Sequence, residues 1–298
     1  MRRRRSRGDG WGDVGKGLAF LSPWIVGFTL FTITPIALSG YFSVCDYSLL
    51  DSPMPVGLKN YRELMNDRWF WNAMSVTARY AIMALPAGMF VSLGLAILLN
   101  RPIRGQSIYR TIIFLPTLVP VVATAMIWLW LFNTKLGLVN YLLDFLNVGP
   151  VPWLTNPHVA LPAMAFMSLW GVGHTVVIYL AGLQDVPAEL YEAAELDGAT
   201  GWRRLWHVTI PMISPVIFFN LIIAIIGVFR VFEIPLVMTN GGPAKATQFI
   251  AMYVYDNAFL YVRMGYASAM AWIQLIVVLI LTGIAFWSST RWVHYQGK

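Results

Sequence analysis

The sequence predicts an all-α integral membrane protein that crosses the bilayer six times and keeps both ends in the cytoplasm. Three observations lead there. Hydrophobic residues make up 58% of the 298 and charged ones 12%, against about 45–50% and about 25% in an ordinary soluble domain. Six apolar runs, roughly 18–43, 73–99, 108–132, 158–182, 213–235 and 265–289, are each long enough to span about 30 Å of hydrocarbon as a helix. Finally, lysine and arginine are spread unevenly over the connections between those runs.

The chain opens on MRRRRSR, and residues 1–17 read as a basic cytoplasmic segment. The run from Leu18 to about Ser43 exceeds the about 7–15 residues of a signal-peptide core, and no small-x-small cleavage site follows it. It reads as a first membrane span with a basic anchor, so the net charge of +7 needs no nucleic-acid partner. Two nucleotide-binding patterns overlap here and both fail. Gly10-Trp-Gly12-Asp-Val-Gly15 fits G-x-G-x-x-G, and Gly10 to Lys16 fits the first seven places of a P-loop. Gly17 stands where a hydroxyl would hold Mg²⁺, and neither match follows a strand. A juxtamembrane linker is the better reading, with no ATP site on this chain. One cysteine, Cys45, excludes an internal disulfide framework and a thiolate metal cluster.

Prolines 35, 86, 116, 120 and 162 fall within spans, where neighbouring helices can satisfy the carbonyls they free. With no internal repeat or low-complexity tract, the six spans read as one permease domain over 18–289, followed by a cytoplasmic tail, 290–298. If the N-terminus is inside, thirteen Lys and Arg fall inside and six outside, with Arg79 and Arg230 within spans. The excess satisfies the positive-inside rule. It places the connection 185–211, between the fourth and fifth spans, in the cytoplasm.

No H-E-x-x-H, G-x-S-x-G or intramembrane carboxylate pair occurs, so the chain reads as neither an enzyme nor a metal protein. His174 has no carboxylate close in sequence and reads as a packed or hydrogen-bonded side chain. For Arg79, Arg230 and Glu233 two readings stand: snorkelling to the outer interface, or a polar, outward-facing passage. Arg230 and Glu233, three apart, could pair on one helix.

The connection contains EAAELDGATGWRRLWHVTIP, Glu192 to Pro211. Asp185 can cap a helix beginning at Val186-Pro187-Ala188. On that helix Leu190, Ala193, Ala194 and Asp197 share one face, and Glu189, Glu192 and Glu195 drift along another. Gly198 suits a left-handed end. A second short helix from about Gly201 carries Trp202, Leu205 and Trp206 opposite Arg203, Arg204 and His207, and Pro211 stops it. Small residues admit a second backbone closely, and a carboxylate can bond a partner's Arg or Lys. The pattern is a docking knob for a cytoplasmic protein.

That stretch resembles the EAA loop of binding-protein-dependent ABC importer permeases. Three further segments resemble the carbohydrate (maltose-type) branch: VGLKNYREL, YRTIIFLPTLVP and VFEIPLVMTNGGPAKAT. The resemblance covers about residues 20 to 270. It implies a type I importer-like, six-helix core in a bacterial-type inner membrane, paired with a second homologous permease. Two cytoplasmic ATPase subunits, which carry ATP and Mg, would sit below, and an extracytoplasmic solute-binding protein would dock above. Glu192, Ala193, Ala194, Asp197, Gly198, Ala199, Trp202 and Arg203 would couple to the ATPase. By position, Trp170, Gly171 and His174 in the fourth span and Gly227 and Arg230 in the fifth would lie along the solute passage. The implied solute is a sugar or oligosaccharide, with an acidic saccharide or a sugar or glycerol phosphate as the alternative. A secondary transporter would need inverted repeats or coupling-ion ligands at the midplane, and neither is visible.

Overall fold

The computed structural model of the chain describes residues 10–102 and 104–294, and these are overwhelmingly helical. Arginines 2–5 and 7 and Lys298 lie outside the described residues. In chain order the helices begin with α1 (Gly10–Phe28), α2 (Thr34–Ser43), α3 (Lys59–Met65), α4 (Arg68–Leu99), α5 (Gln106–Phe114) and α6 (Val121–Leu131). Next come α7 (Leu138–Asp144), α8 (Ala160–Ser168), α9 (Gly173–Gln184), α10 (Ala188–Leu196), α11 (Gly201–Arg204) and α12 (Ile210–Met212). The last four are α13 (Ser214–Val228), α14 (Glu233–Met238), α15 (Ile250–Tyr255) and α16 (Met264–Ser289). One exception to the all-α expectation is a two-residue antiparallel ladder. It joins β1 (Cys45–Asp46) and β2 (Met54–Pro55), with Cys45 opposite Pro55 and Asp46 opposite Met54.

Three helices are long and apolar enough to cross a membrane: Gly15–Ser43, Arg68–Leu99 and Met264–Ser289. Three bent pairs bring the total to six if each pair is one span. Gln106–Leu118 meets Val121–Leu131 at 97°, Ala160–Gly171 meets Gly173–Gln184 at 50°, and Gly201–Met212 meets Ser214–Val228 at 65°. The straight third, fourth and fifth runs expected over 108–132, 158–182 and 213–235 are therefore broken. Pro120 cannot donate to the helix before it, and it caps α6 from extended backbone at φ −54°, ψ 139°. In the fifth run α13 stops at Val228, so Arg230 falls in a break before α14. Proline is handled differently in the first span, where a π-turn at Thr29–Ile33 precedes Pro35 and Thr34 Oγ1 donates to Thr29 O at 2.9 Å. Local π adjustments of this kind keep a proline-bearing helix continuous. The nucleotide-like stretch from Gly10 to Gly17 is helical and forms no phosphate-cradling loop.

The chain forms two compact units. The first comprises the chain up to Asn66 together with Asn257–Trp272. Its hub is the end of α2. The buried Asn60 amide donates to Ser43 O and Cys45 O, at 3.0 and 2.8 Å, and Tyr61 Oη donates to Ser43 Oγ at 2.8 Å. Gly265 N donates to Tyr47 O at 3.1 Å, and a Cβ at Gly265 would collide with Cys45 O. Arg263 pairs with Glu63 at 2.6 Å and covers the Tyr266 ring.

The second unit comprises Asp67–Asp256 and the chain from Ile273, and is organised around α4. On its α8 side, Val76, Tyr80 and Ala84 join Trp128, Phe132, Leu161 and Met164 in one apolar cluster. Toward its C-terminus, Ala96 and Leu99 join Val176, Tyr179, Leu180, Leu183 and Ile213 in another. Backbone proximity holds the second cluster together. A Cβ at Gly182 would lie 2.7 Å from Val216 Cγ2, so α9 and α13 touch almost backbone to side chain. Asn140 ties down the connection after α6, donating to Thr134 O and Val151 O and accepting from Val151 N and Trp153 Nε1.

Candidate coupling segment and solute passage

The segment 185–211 folds as two short helices around a glycine turn. Gly198 has φ +71°. Its N–H donates to Glu195 O at 3.0 Å, and Ala199 N donates to Ala194 O at 2.9 Å. That hydrogen-bond pair is a Schellman ending, which L-residues with a Cβ adopt at a cost and glycine adopts freely. The start of α10 departs from expectation. Pro187, extended at ψ 131°, is the N-cap with no side-chain cap bond, while Asp185 instead ends α9 through Asp185 N to Ala181 O at 3.2 Å. Proline presets the entry angle, so no capping carboxylate is needed.

Tyr191 is the side chain that anchors α10. Tyr191 packs on the cluster of Leu183, Val186 and Ile213, and its Oη pairs with Thr209 Oγ1 at 3.1 Å. Ala194, one turn on, is half-buried. Leu190 is exposed, and Leu196 is 91% exposed. Glu192, Ala193, Asp197 and Gly198 are exposed too, and Ala199 is half-buried. The free surface of α10 is therefore carboxylates around small residues and a bare leucine. Behind it, Arg204 reaches back to Glu195 at 3.5 Å, and His207 Nδ1 bonds Arg203 O at 3.0 Å. Trp202, 69% exposed, stacks edge-on against Trp206 at 5.8 Å. Pro211 does not stop the second helix. A π-turn at Leu205–Thr209 absorbs the proline, and the break comes at Ile213.

The five candidate passage residues do not converge. His174 and Thr175, with Gly88 and Asn220, line an open pocket of about 260 Å³ between α4, α9 and α13. Trp170 and Gly171 sit in a 3-10 turn before α9, and Trp170 meets Trp128 edge-on at 6.3 Å. Gly227 lies two turns beyond Asn220 on α13 with open space around it. Arg230 is exposed past the helix end, and since α14 begins only at Glu233, no continuous helix sets the pair three apart. Asn220 is the residue that sequence reading missed. Only 4% exposed, it donates from Nδ2 to Val216 O at 3.0 Å. The signal was available: a lone amide inside an apolar span is a functional-site flag.

The family of binding-protein-dependent transport system inner membrane components matches residues 84–294, from mid-α4 to the end of the described chain. The chain belongs to this family. It is thus a membrane-embedded permease component of an ABC transporter. The permease is similar to the probable ABC transporter permease protein YesP of Bacillus subtilis, 37% identical over 287 residues that cover 95% of this chain and 93% of YesP. It is 32% identical over 281 residues to the sulfoquinovosyl glycerol transport system permease protein SmoG of Agrobacterium fabrum, covering 92% and 91%. Among solved structures, a chain of a bacterial ABC transporter involved in the import of the acidic polysaccharide alginate superposes with a TM-score of 0.83. That match has 25% identity and covers 94% of this permease and 98% of the other chain.

Proposed function

We propose that this permease is one half of the channel of a saccharide importer, driven through α10 and α11 by ATPase subunits on separate chains. In this reading each bent pair is one span, giving six, and the lysine and arginine distribution supports both termini and the α10–α11 segment lying in the cytoplasm. A second homologous permease completes the channel, and an extracytoplasmic binding protein delivers the solute. ATP and Mg act on the ATPase subunits, and this chain binds no cofactor. The observation that carries the reading is the free surface of α10. Glu192, Ala193, Leu196 and Asp197 are held outward by a Schellman turn and a half-buried Tyr191 anchor. Small residues that admit a second backbone closely, rimmed by carboxylates able to bond a partner's Arg or Lys, suit a protein-binding surface. Glu192, Ala193, Ala194, Asp197, Gly198, Ala199, Trp202 and Arg203 form this surface or set its shape, and closure of the ATPase pair moves it as a lever on the spans. In the purified, reconstituted transporter, uptake depends on ATP and on the ATPase subunits. Uptake by the permeases without any ATPase would overturn the reading.

Support for a saccharide comes from the relatives, whose names mention sulfoquinovosyl glycerol and the acidic polysaccharide alginate. The second reading, an acidic saccharide rather than a neutral sugar, is supported by the exposed Arg79 and Arg230. A ligand screen of the cognate binding protein against neutral and anionic saccharides separates the two. Within the passage, His174, Thr175 and Asn220 are the polar groups suited to sugar hydroxyls. Asn220→Leu lowers uptake about fivefold, as expected for loss of about 1 kcal/mol of hydrogen bonding, while co-purification of the ATPase is unchanged. An equal loss of the ATPase would assign Asn220 to assembly instead.

A further inference from the structure

Two adjoining features of the second unit go beyond the account above, although the second shares Trp202, Tyr191 and Thr209 with the coupling segment. The first is an apolar groove of about 720 Å³ along α4, α13 and the C-terminal half of α16, lined by side chains such as Leu93, Ile217, Leu221 and Leu281. The second is a pocket of about 830 Å³ between the C-terminus of α4 and the α11 segment, lined by Arg101 and Arg204, with Asn100, and by no carboxylate. The two share three walls, each stepped by a single residue or a single helical turn. Leu93 lines the groove and Ile97 the pocket on α4; Tyr179 and Leu183 do the same on α9; Trp206 and Ile210 line the groove where Leu205 and Thr209 line the pocket. The apolar surface therefore runs directly into the basic one.

A third observation lies at the junction. Tyr179 is fully buried, lines the groove, and its Oη has no hydrogen-bond partner. A buried hydroxyl left unsatisfied costs about 1–3 kcal/mol, so an acceptor supplied by a ligand is expected there. Trp206, exposed at the edge of the groove beside the basic pocket, is the residue type enriched at the level of lipid headgroups.

We infer that the groove and pocket together bind one anionic phospholipid. Its phosphate lies between the Arg101 and Arg204 guanidinium groups, an ester carbonyl accepts from Tyr179 Oη, and an acyl chain fills the groove. Arg204 keeps its link to Glu195 through Nη1 and turns its remaining donors to the phosphate. Basic pockets between span ends are where anionic headgroups bind. Assignment to the cytoplasmic leaflet rests on the orientation proposed above; the site does not. Because α11 forms one wall, the lipid braces the coupling segment against α4.

The test uses the assembled transporter in nanodiscs of phosphatidylcholine and phosphatidylglycerol, with lipid retained on release measured by native mass spectrometry. Phosphatidylglycerol is expected to stay bound and phosphatidylcholine not. Arg101→Gln lowers retention about fivefold, the factor that corresponds to about 1 kcal/mol for one basic side chain at an anionic surface. Tyr179→Phe, which removes only the hydroxyl, also lowers it, and Ile217→Trp, which fills the groove, abolishes it. Inorganic phosphate does not displace the lipid. Equal retention in wild type and all three variants overturns the proposal. So does displacement by inorganic phosphate, or an Ile217→Cys cross-link to the second permease with no lipid retained. Retention is read without transport, so its failure is distinct from failure of the importer reading.

Discussion

Replacing Gly198 by valine lowers ATP-driven uptake by about 10- to 100-fold and sheds the ATPase subunits on purification. The backbone at φ +71° belongs to the left-handed region, where a Cβ costs roughly 1–2 kcal/mol and a β-branched side chain more. The chain relieves that strain by opening the turn. Ala199 N to Ala194 O and Gly198 N to Glu195 O are then lost, and Glu192 and Leu196 no longer face a partner in fixed geometry. A charge-assisted hydrogen bond is worth about 1.5–3 kcal/mol, hence the predicted range. Glu192→Gln isolates the charge: the turn stays intact and uptake still falls, by about tenfold at most. Nothing sits within 4 Å of a Cβ at Gly198, so the Gly198 effect is conformational and not steric. Gly198→Asn, which tolerates the left-handed region, restores most of the uptake.

Gly173→Val has the second large effect, and it falls on folding. A Cβ at Gly173 would collide with Ile113 O and come within 3.0 Å of Phe114 Cα and Thr117 Cγ2. Two of those three atoms are backbone, which cannot rotate away. Overpacking costs about 1–3 kcal/mol where side chains can yield; here α9 must separate from α5, and the loss is on the order of 3 kcal/mol or more. The variant unfolds at lower denaturant and loses uptake and ATPase assembly together. Gly171→Val, two residues away with open space around the glycine, leaves stability nearly unchanged. This pair separates a packing role from a general need for glycine in the turn.

Legibility in the sequence followed the range of the interaction. The long second and sixth spans and the Gly198 turn were readable because local pattern decides them: apolar length for the spans, a left-handed residue after a helix for the turn. The 97° bend at Pro120 was not, since a proline inside a span can be absorbed, as at Pro35, or can break the helix, and packing chooses. Which side of α10 packs inward is undecided by spacing for a related reason. Spacing sets Leu190 with Ala193 and Ala194 on one face, while Tyr191 is the side chain that packs inward, where Thr209 offers its hydroxyl a partner eighteen residues away. Close approaches at Gly173, Gly182 and Gly265 join segments distant in sequence and leave no local trace. Asn220 was visible as a lone amide in an apolar helix, but only the fold brings it to His174.

Cross-linking from Leu196→Cys tests the central claim most directly. Leu196 is 91% exposed at the tip of α10 and makes no packing contribution whose loss would confuse the result. In native membranes, a short bifunctional reagent is expected to join Leu196→Cys to a cytoplasmic ATPase subunit, with a yield that changes on ATP addition. A cysteine labelled only from the extracytoplasmic face, or uptake that persists with no cross-link to any ATPase, would contradict the account.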